Sequence, residues 1–127
     1  MITKVTDVFK ALSDDTRLRI IRLFVLSQEE LCLCELTDAL EVSQYNVSRH
    51  LKVLVSVGLL VRQKEGRWVY FQLNPQLDHV FQPLLTMIAG LSDTQLERDW
   101  QELQRRLQLR TNGRCTIGIQ KKHLLGH

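Results

Sequence analysis

The chain has 127 residues, 44% of them hydrophobic, and its 17 basic and 14 acidic side chains leave a net charge of +3. That length suits one modest domain with a real core, and not two. No stretch approaches the roughly 20 apolar residues of a membrane span, the N-terminus lacks a secretory pattern, and three cysteines are an odd number for a disulfide framework, so a reduced, cytoplasmic setting with no membrane partner is expected.

Val5, Val8, Phe9 and Leu12 recur at helical spacing and predict a first helix over residues 3–12. Ser13, Asp14 and Asp15 supply an N-cap and early acids for a second helix. That helix is expected to bury Leu18, Ile21 and Val25 and to keep Arg17, Arg19 and Arg22 polar. A short third helix is expected from Cys32 to Leu40, with Leu33, Leu36 and Leu40 inward. The tight junction Glu41-Val42-Ser43 leads to a fourth helix, N-capped by Ser43 and running to about Val57, with Val47, Leu51, Leu54 and Val55 on its inner face. Gly58 stands where a helix-closing glycine is expected.

Residues 59–73 change period. Two strands joined through Lys64-Glu65-Gly66-Arg67 predict a β-hairpin, ended by Asn74-Pro75. Two further helices are expected, from Leu77 to Ala89 and from Ser92 to Leu109, the latter opened by a Ser92–Gln95 capping box. Leu96, Trp100, Leu103 and Leu107 line one face of that last helix, which must pack on the first helix, a second subunit, or both. From Arg110 onward the chain is basic and contains glycine, and a mobile tail over residues 110–127 is expected beside a domain of residues 1–109.

Charge is unevenly distributed. Residues 43–73 hold Arg49, Lys52, Arg62, Lys64 and Arg67 against Glu65 alone, and residues 110–127 hold Arg110, Arg114, Lys121 and Lys122 with no acid. A mainly helical chain with two helices joined by a short turn and followed by a basic hairpin reads as a winged helix-turn-helix. In that arrangement the first helix braces the second, whose N-terminal residues enter the major groove of double-stranded DNA. Ser43, Gln44, Tyr45, Asn46, Ser48, Arg49, His50 and Lys52 are the candidate contacts on the reading helix. Gln44 and Asn46 carry the donor–acceptor pair that matches adenine, Arg49 suits guanine or phosphate, and His50 and Lys52 suit the DNA backbone. Arg62, Lys64 and Arg67 are the candidate wing contacts. An enzyme is not expected: there is no glycine-rich phosphate loop, and no histidine lies near the paired cysteines in sequence.

These segments resemble the ArsR/SmtB family of metal-sensing repressors. The resemblance runs through Leu12-Ser13-Asp14-Asp15-Thr16-Arg17-Leu18-Arg19-Ile20, Glu30-Leu31-Cys32-Leu33-Cys34-Glu35-Leu36 and the stretch from Ser43 to Leu54. It continues in Gly58-Leu59-Leu60 and Gly66-Arg67-Trp68-Val69-Tyr70. The Cys-x-Cys segment looks most like the arsenical-resistance members. The resemblance implies a homodimer built on the first and last helices, an imperfect inverted-repeat operator, and release of that operator when a thiophilic ion binds.

Cys32 and Cys34 are the first candidate ligands. Residues two apart on an ideal helix point to nearly opposite sides, so chelation by both is expected to unwind the start of the third helix. Thiolates favour soft ions, among them As(III), Sb(III), Cd(II), Pb(II), Zn(II) and Cu(I), with As(III) or Sb(III) the expected inducer. The arsenical pattern often has another cysteine three residues after the second, but Thr37 stands there. Cys115, or a small external thiol, is the candidate third ligand. A redox-sensing Cys32–Cys34 disulfide is the rival reading, disfavoured by its strained local geometry. The family's zinc site on the helix after the hairpin is not expected. Asp78 and His79 are present at its start, but Ala89, Gly90 and Leu91 occupy the region of its other ligands. His123 and His127 are expected as surface residues.

Overall fold

The computed structural model describes residues 1–125; His127 lies outside the described residues. Helix α1 (Ile2–Leu12) leads to α2 (Asp15–Ser27), whose first turn is capped by Asp14 accepting from the Arg17 N–H at 3.1 Å. A two-residue strand β1 (Leu31–Cys32), not anticipated from sequence, precedes α3 (Leu33–Leu40). Glu41 closes α3 in the left-handed region at φ 56°, and Ser43 caps α4 (Gln44–Ser56) by accepting from the Asn46 N–H. Gly58, at φ 81°, turns the chain out of α4 in a conformation that side chains with a Cβ rarely adopt.

Strands β2 (Leu60–Glu65) and β3 (Trp68–Leu73) form the expected hairpin, with Glu65 opposite Trp68 and Gly66 left-handed at the tip. Strand β1 pairs on the other side of β3, giving a three-stranded antiparallel sheet in the order β1-β3-β2. Its register sets Leu31 opposite Phe71 and Cys32 opposite Tyr70. A short 3-10 turn (His79–Phe81), α5 (Gln82–Ala89) and α6 (Thr94–Leu107) follow. The cap of α6 is Asp93, which accepts from the Leu96 N–H at 2.8 Å. Ser92, the expected cap, bonds Glu97 instead. Among the described residues, no helix is long and apolar enough to cross a membrane.

One core runs through the helices and the base of the hairpin. Ile20, Ile21, Leu23 and Phe24 of α2 meet Leu36 and Leu40 of α3, Val47, Leu51 and Leu54 of α4, and Leu103 of α6. The period-3.6 stripes therefore converge as helical amphipathicity requires. Three expectations change at this level. Arg22 is buried, donating to the carbonyls of Leu91 and Leu96 and to Glu97. Arg19 is tied to the buried Asp99 of α6 through two bonds of 2.8 and 2.9 Å. The apolar stripe of α6 is covered largely within the chain, mainly by α3, rather than left for a partner.

Residues 110–125 do not form a free tail. They run back as a strap over α3 and the sheet, with Cys115, Ile119 and Leu124 buried. Charge explains the docking. Arg106 reaches the buried Asp38 at 2.8 Å and the carbonyls of Ile117 and Gly118. Arg110 forks onto Glu35 at 2.7 and 2.8 Å and donates to the carbonyl of Glu30. Arg114 bridges Glu30 and Glu65, with its guanidinium 3.8 Å from the centre of the Tyr70 ring. Asp38 also accepts the backbone N–H groups of Gln120 and Lys121.

Candidate metal centre and nucleic-acid interface

The three thiols meet beneath the strap. Pairing of β1 with β3 holds Cys32 in extended backbone at φ −87°, ψ 157°, just before α3, and on the same side of the sheet as its partner Tyr70. Cys34 follows in the first turn of α3. The Tyr70 hydroxyl accepts the backbone N–H of Cys115 at 2.8 Å, which pins the strap at that point. The Sγ atoms of Cys32, Cys34 and Cys115 lie within 4.8 Å of one another, and those of Cys34 and Cys115 are 3.4 Å apart. All three residues are buried and free of disulfides. The expected unwinding of the helix start is therefore unnecessary: Cys32 lies outside α3, so the two-residue spacing does not throw the sulfurs apart.

The environment favours a single thiolate, on Cys34. A hydrogen bond from the Cys32 thiol, another from Cys115 and the nearby Arg106 charge bring its pKa down to about 7 against the opposing effect of burial. Burial and the Cys34 thiolate push Cys115 up to about 11, and the bond to Cys34 with burial pushes Cys32 upward as well. The Glu35 carboxylate accepts from the Cys32 N–H at 3.0 Å and from Arg110 at 2.7 Å. Among the described residues the cluster contains sulfur ligands only, a donor set that fits a soft thiophilic ion and fits a hard cation poorly.

The second constellation is the exposed face of α4 with the hairpin. Tyr45, Arg49 and Lys52 are exposed; Gln44, Asn46 and Ser48 are half-buried. The Arg49 guanidinium donates to Asn46 Oδ1 at 3.2 Å, so the two side chains are held as a pair. Arg62 and Lys64 stand exposed on one face of β2, and Arg67 lies at the tip with its guanidinium 4.8 Å from the Trp68 ring centre. Ser43 is half-buried and its hydroxyl is engaged as the cap of α4, accepting from the Asn46 N–H. His50 is a correction: it is buried, and Arg17 donates to its Nδ1 at 3.1 Å, which leaves the ring neutral and facing α2 rather than DNA. Burial lowers its pKa, and the Arg17 and Arg49 charges lower it further against the pull of Asp14.

Much of the strap's basic charge is also unavailable to phosphate. Arg110 and Arg114 are paired as above, and Lys121 bonds Glu41 and Glu102. Sequence reading missed this ladder although a signal was present. Arg106, Arg110 and Arg114 recur every four residues, and Glu30, Glu35 and Asp38 flank the cysteines.

A brace helix, a short turn, a second helix with a polar outer face and a basic hairpin, in that order, define a winged helix-turn-helix DNA-binding domain. The chain belongs to the arsR family of bacterial regulatory proteins, whose family model matches residues 14–61. An arsenic resistance transcriptional regulator of Pseudomonas putida is 44% identical over 90 residues, which cover 71% of this chain and 67% of the relative. A second such regulator of the same organism is 54% identical over 71 residues, covering 56% of this chain and 61% of its own length. In that case the chain spans about three fifths of the relative. The solved structure of HlyU from Vibrio cholerae superposes with a TM-score of 0.59 at 28% identity, over 68% of this chain and 88% of HlyU.

Proposed function

We propose that the protein is a metalloid-responsive transcriptional repressor that binds an operator as a homodimer and releases it when Cys32, Cys34 and Cys115 take up As(III) or Sb(III). The observation that carries this reading is the meeting of three buried thiols within 4.8 Å, one before the brace helix, one in its first turn and one on the strap. Cys115 supplies the third sulfur in place of a cysteine at Thr37. The names of the Pseudomonas putida relatives, regulators of arsenic resistance, point the same way.

The surroundings of the thiols supply a route to DNA. Closing three sulfurs on one centre shifts the strap against the start of α3. Arg114, next to Cys115, is tied to Glu65 at the wing. Lys121 is tied to Glu41 in the turn between α3 and α4. Both reading elements therefore feel the closure, and the inducer releases DNA to the extent that it prefers the shifted arrangement. In the DNA-bound form, Gln44, Asn46 and Arg49 read base edges, Tyr45, Ser48 and Lys52 flank them, and Arg62, Lys64 and Arg67 hold phosphates. Phe9 on α1 and Met87 on α5, both large and exposed, provide apolar surface for the second copy.

The test is fluorescence anisotropy on a duplex from the protein's own promoter, under reducing conditions, with As(III), Sb(III), Cd(II) and Zn(II) titrated in turn. Release by As(III) or Sb(III) that is lost in Cys34→Ser and Cys115→Ser is expected. Tight DNA binding that no ion relieves would overturn the reading. The 3.4 Å contact between Cys34 and Cys115 favours one second reading, a redox switch through that pair rather than through Cys32 and Cys34. Release by peroxide alone, reversed by a reductant, would select it.

A further inference from the structure

The end of the strap lies between the two reading elements. The backbone N–H groups of Gln120 and Lys121 donate to the buried Asp38 of α3 at 3.0 Å each. The Lys121 ammonium bonds Glu41, in the turn between α3 and α4, at 2.9 Å. A single 3-10 turn follows (Lys122–Leu124), closed by the Leu125 N–H on the Lys122 carbonyl at 3.1 Å and anchored by the buried Leu124. Leu125 then lines a cleft of about 300 Å³ bounded by the start of α3, β3 and the strap, beside Cys32 and Cys34. Gln44, the first residue of α4, and Arg67, at the wing tip, line the same cleft. Residues 121–125 therefore run from the helix-turn-helix turn to the gap between reading helix and wing.

Charge singles out this turn. Arg110, Arg114 and Lys121 are each matched by carboxylates of the chain. The two acids that Lys121 meets are each shared with an arginine, Arg98 on Glu41 and Arg105 on Glu102. Lys122 and His123 are exposed and form no ion pair or side-chain hydrogen bond among the described residues. An uncompensated ammonium is a compact point charge with three donors, which suits a phosphate oxygen and needs no base sequence. A lone surface lysine would carry no such implication. This one is continuous with the face formed by α4 and the wing, and its backbone is fixed through Asp38. We infer that the turn of the strap is a third DNA-contacting element, with Lys122 holding a phosphate of the operator beside the start of α4 and His123 offering a ring N–H next to it. The inference rests on the placement of α4 and the wing on DNA proposed above, and adds an element that lies outside both. Cys115 stands on the same strap, so the contact sits on the segment that the thiols hold in place.

The test uses the reduced full-length protein and a fluorescent duplex from its own promoter, with anisotropy titrations of wild type, Lys122→Ala and Lys122→Arg over a range of potassium chloride concentrations. The Lys122 side chain holds nothing within the described chain, so its removal leaves the fold intact. Loss of one phosphate contact should reduce the slope of log affinity against log salt by about 0.9 per half-site, so the gap between wild type and Lys122→Ala widens about eightfold for each tenfold drop in salt. Lys122→Arg keeps the charge and is expected to bind within about twofold of wild type. Location is read separately by acetylation footprinting with mass spectrometry, in which the duplex should slow modification of Lys122 several-fold. An unchanged salt slope in Lys122→Ala, or equal modification of Lys122 with and without the duplex, would overturn the inference while leaving the repressor reading in place. A Lys122→Ala variant that loses affinity by the same factor at every salt concentration also counts against it, since a lost phosphate contact cannot behave that way. Failure of wild type to bind the promoter duplex at all would instead remove the placement of α4 and the wing on DNA, and this contact with it.

Discussion

Replacing Arg110 by alanine tests what docks the strap. Its guanidinium makes a fork onto Glu35 at 2.7 and 2.8 Å and a third bond to the carbonyl of Glu30 at 2.6 Å. The side chains of the pair are only 7% and 0% exposed, so solvent screening offers little relief. Removing one partner of a buried pair costs about 3–5 kcal/mol, because the other charge is left uncompensated. Glu35 keeps one bond, from the Cys32 N–H, which argues for the lower end, about 3 kcal/mol. For a chain of this size that corresponds to a melting temperature lower by about 10 °C. Urea denaturation and thermal melts of Arg110→Ala, Glu35→Gln and the double variant form a cycle. The expected result is a double variant much less destabilised than the sum of the singles. The same variant should loosen Cys115, read as faster modification by a thiol reagent under native conditions. A loss under about 1 kcal/mol, or additive single effects, would refute the view that this pair holds the strap down.

Arg49→Ala should weaken operator binding by about 1–3 kcal/mol and relax specificity at one position if it reads a base; equal affinity for wild-type and variant protein would remove it from the interface. Lys64→Ala, at an exposed wing position, should weaken all DNA sequences alike and reduce the salt slope by about one unit, so an unchanged slope counts against a phosphate contact. Arg114→Ala should leave arsenite binding largely intact while shrinking the ratio of operator affinities without and with arsenite, since it removes the link between Cys115 and Glu65; an unchanged ratio would show that the wing is not driven through this residue. His50 gives a pH test. Its folded-state pKa lies below its ordinary value, so the unfolded chain takes up the proton first as the pH falls. Stability is full above about pH 6.5 and drops as the pH falls toward the folded-state value. His50→Gln should flatten that slope in denaturation curves, and identical slopes would reject the assignment.

Most of the secondary structure was legible in the sequence because its causes are local. The helical stripes of α1 to α4, the cap Ser43, the turn glycine Gly66 and the change of period at the hairpin all act within a few residues of one another. The polar outer face of α4 and the Cys-x-Cys pair were visible for the same reason. Near misses also have local reasons. Ser92 and Asp93 are both good caps, and the backbone's entry into α6 selects Asp93.

What only the tertiary structure decided depends on distant partners. Strand β1 is too short for a periodic signal and exists because β3 offers it a ladder. That pairing takes Cys32 out of the helix and removes the geometric conflict with Cys34. His50 reads as one more polar residue on the DNA helix, and its burial follows from Arg17, 33 residues away. Cys115 comes from 81 residues beyond Cys34. No local pattern brings the two together: buried acids on α3 and arginines spaced every four residues on α6 and the strap do so, because neither set can be buried without the other. The sequence by itself determined the reading head and two of the three thiols. The fold decided the third sulfur, the cleft beside it and the ties from both to the wing.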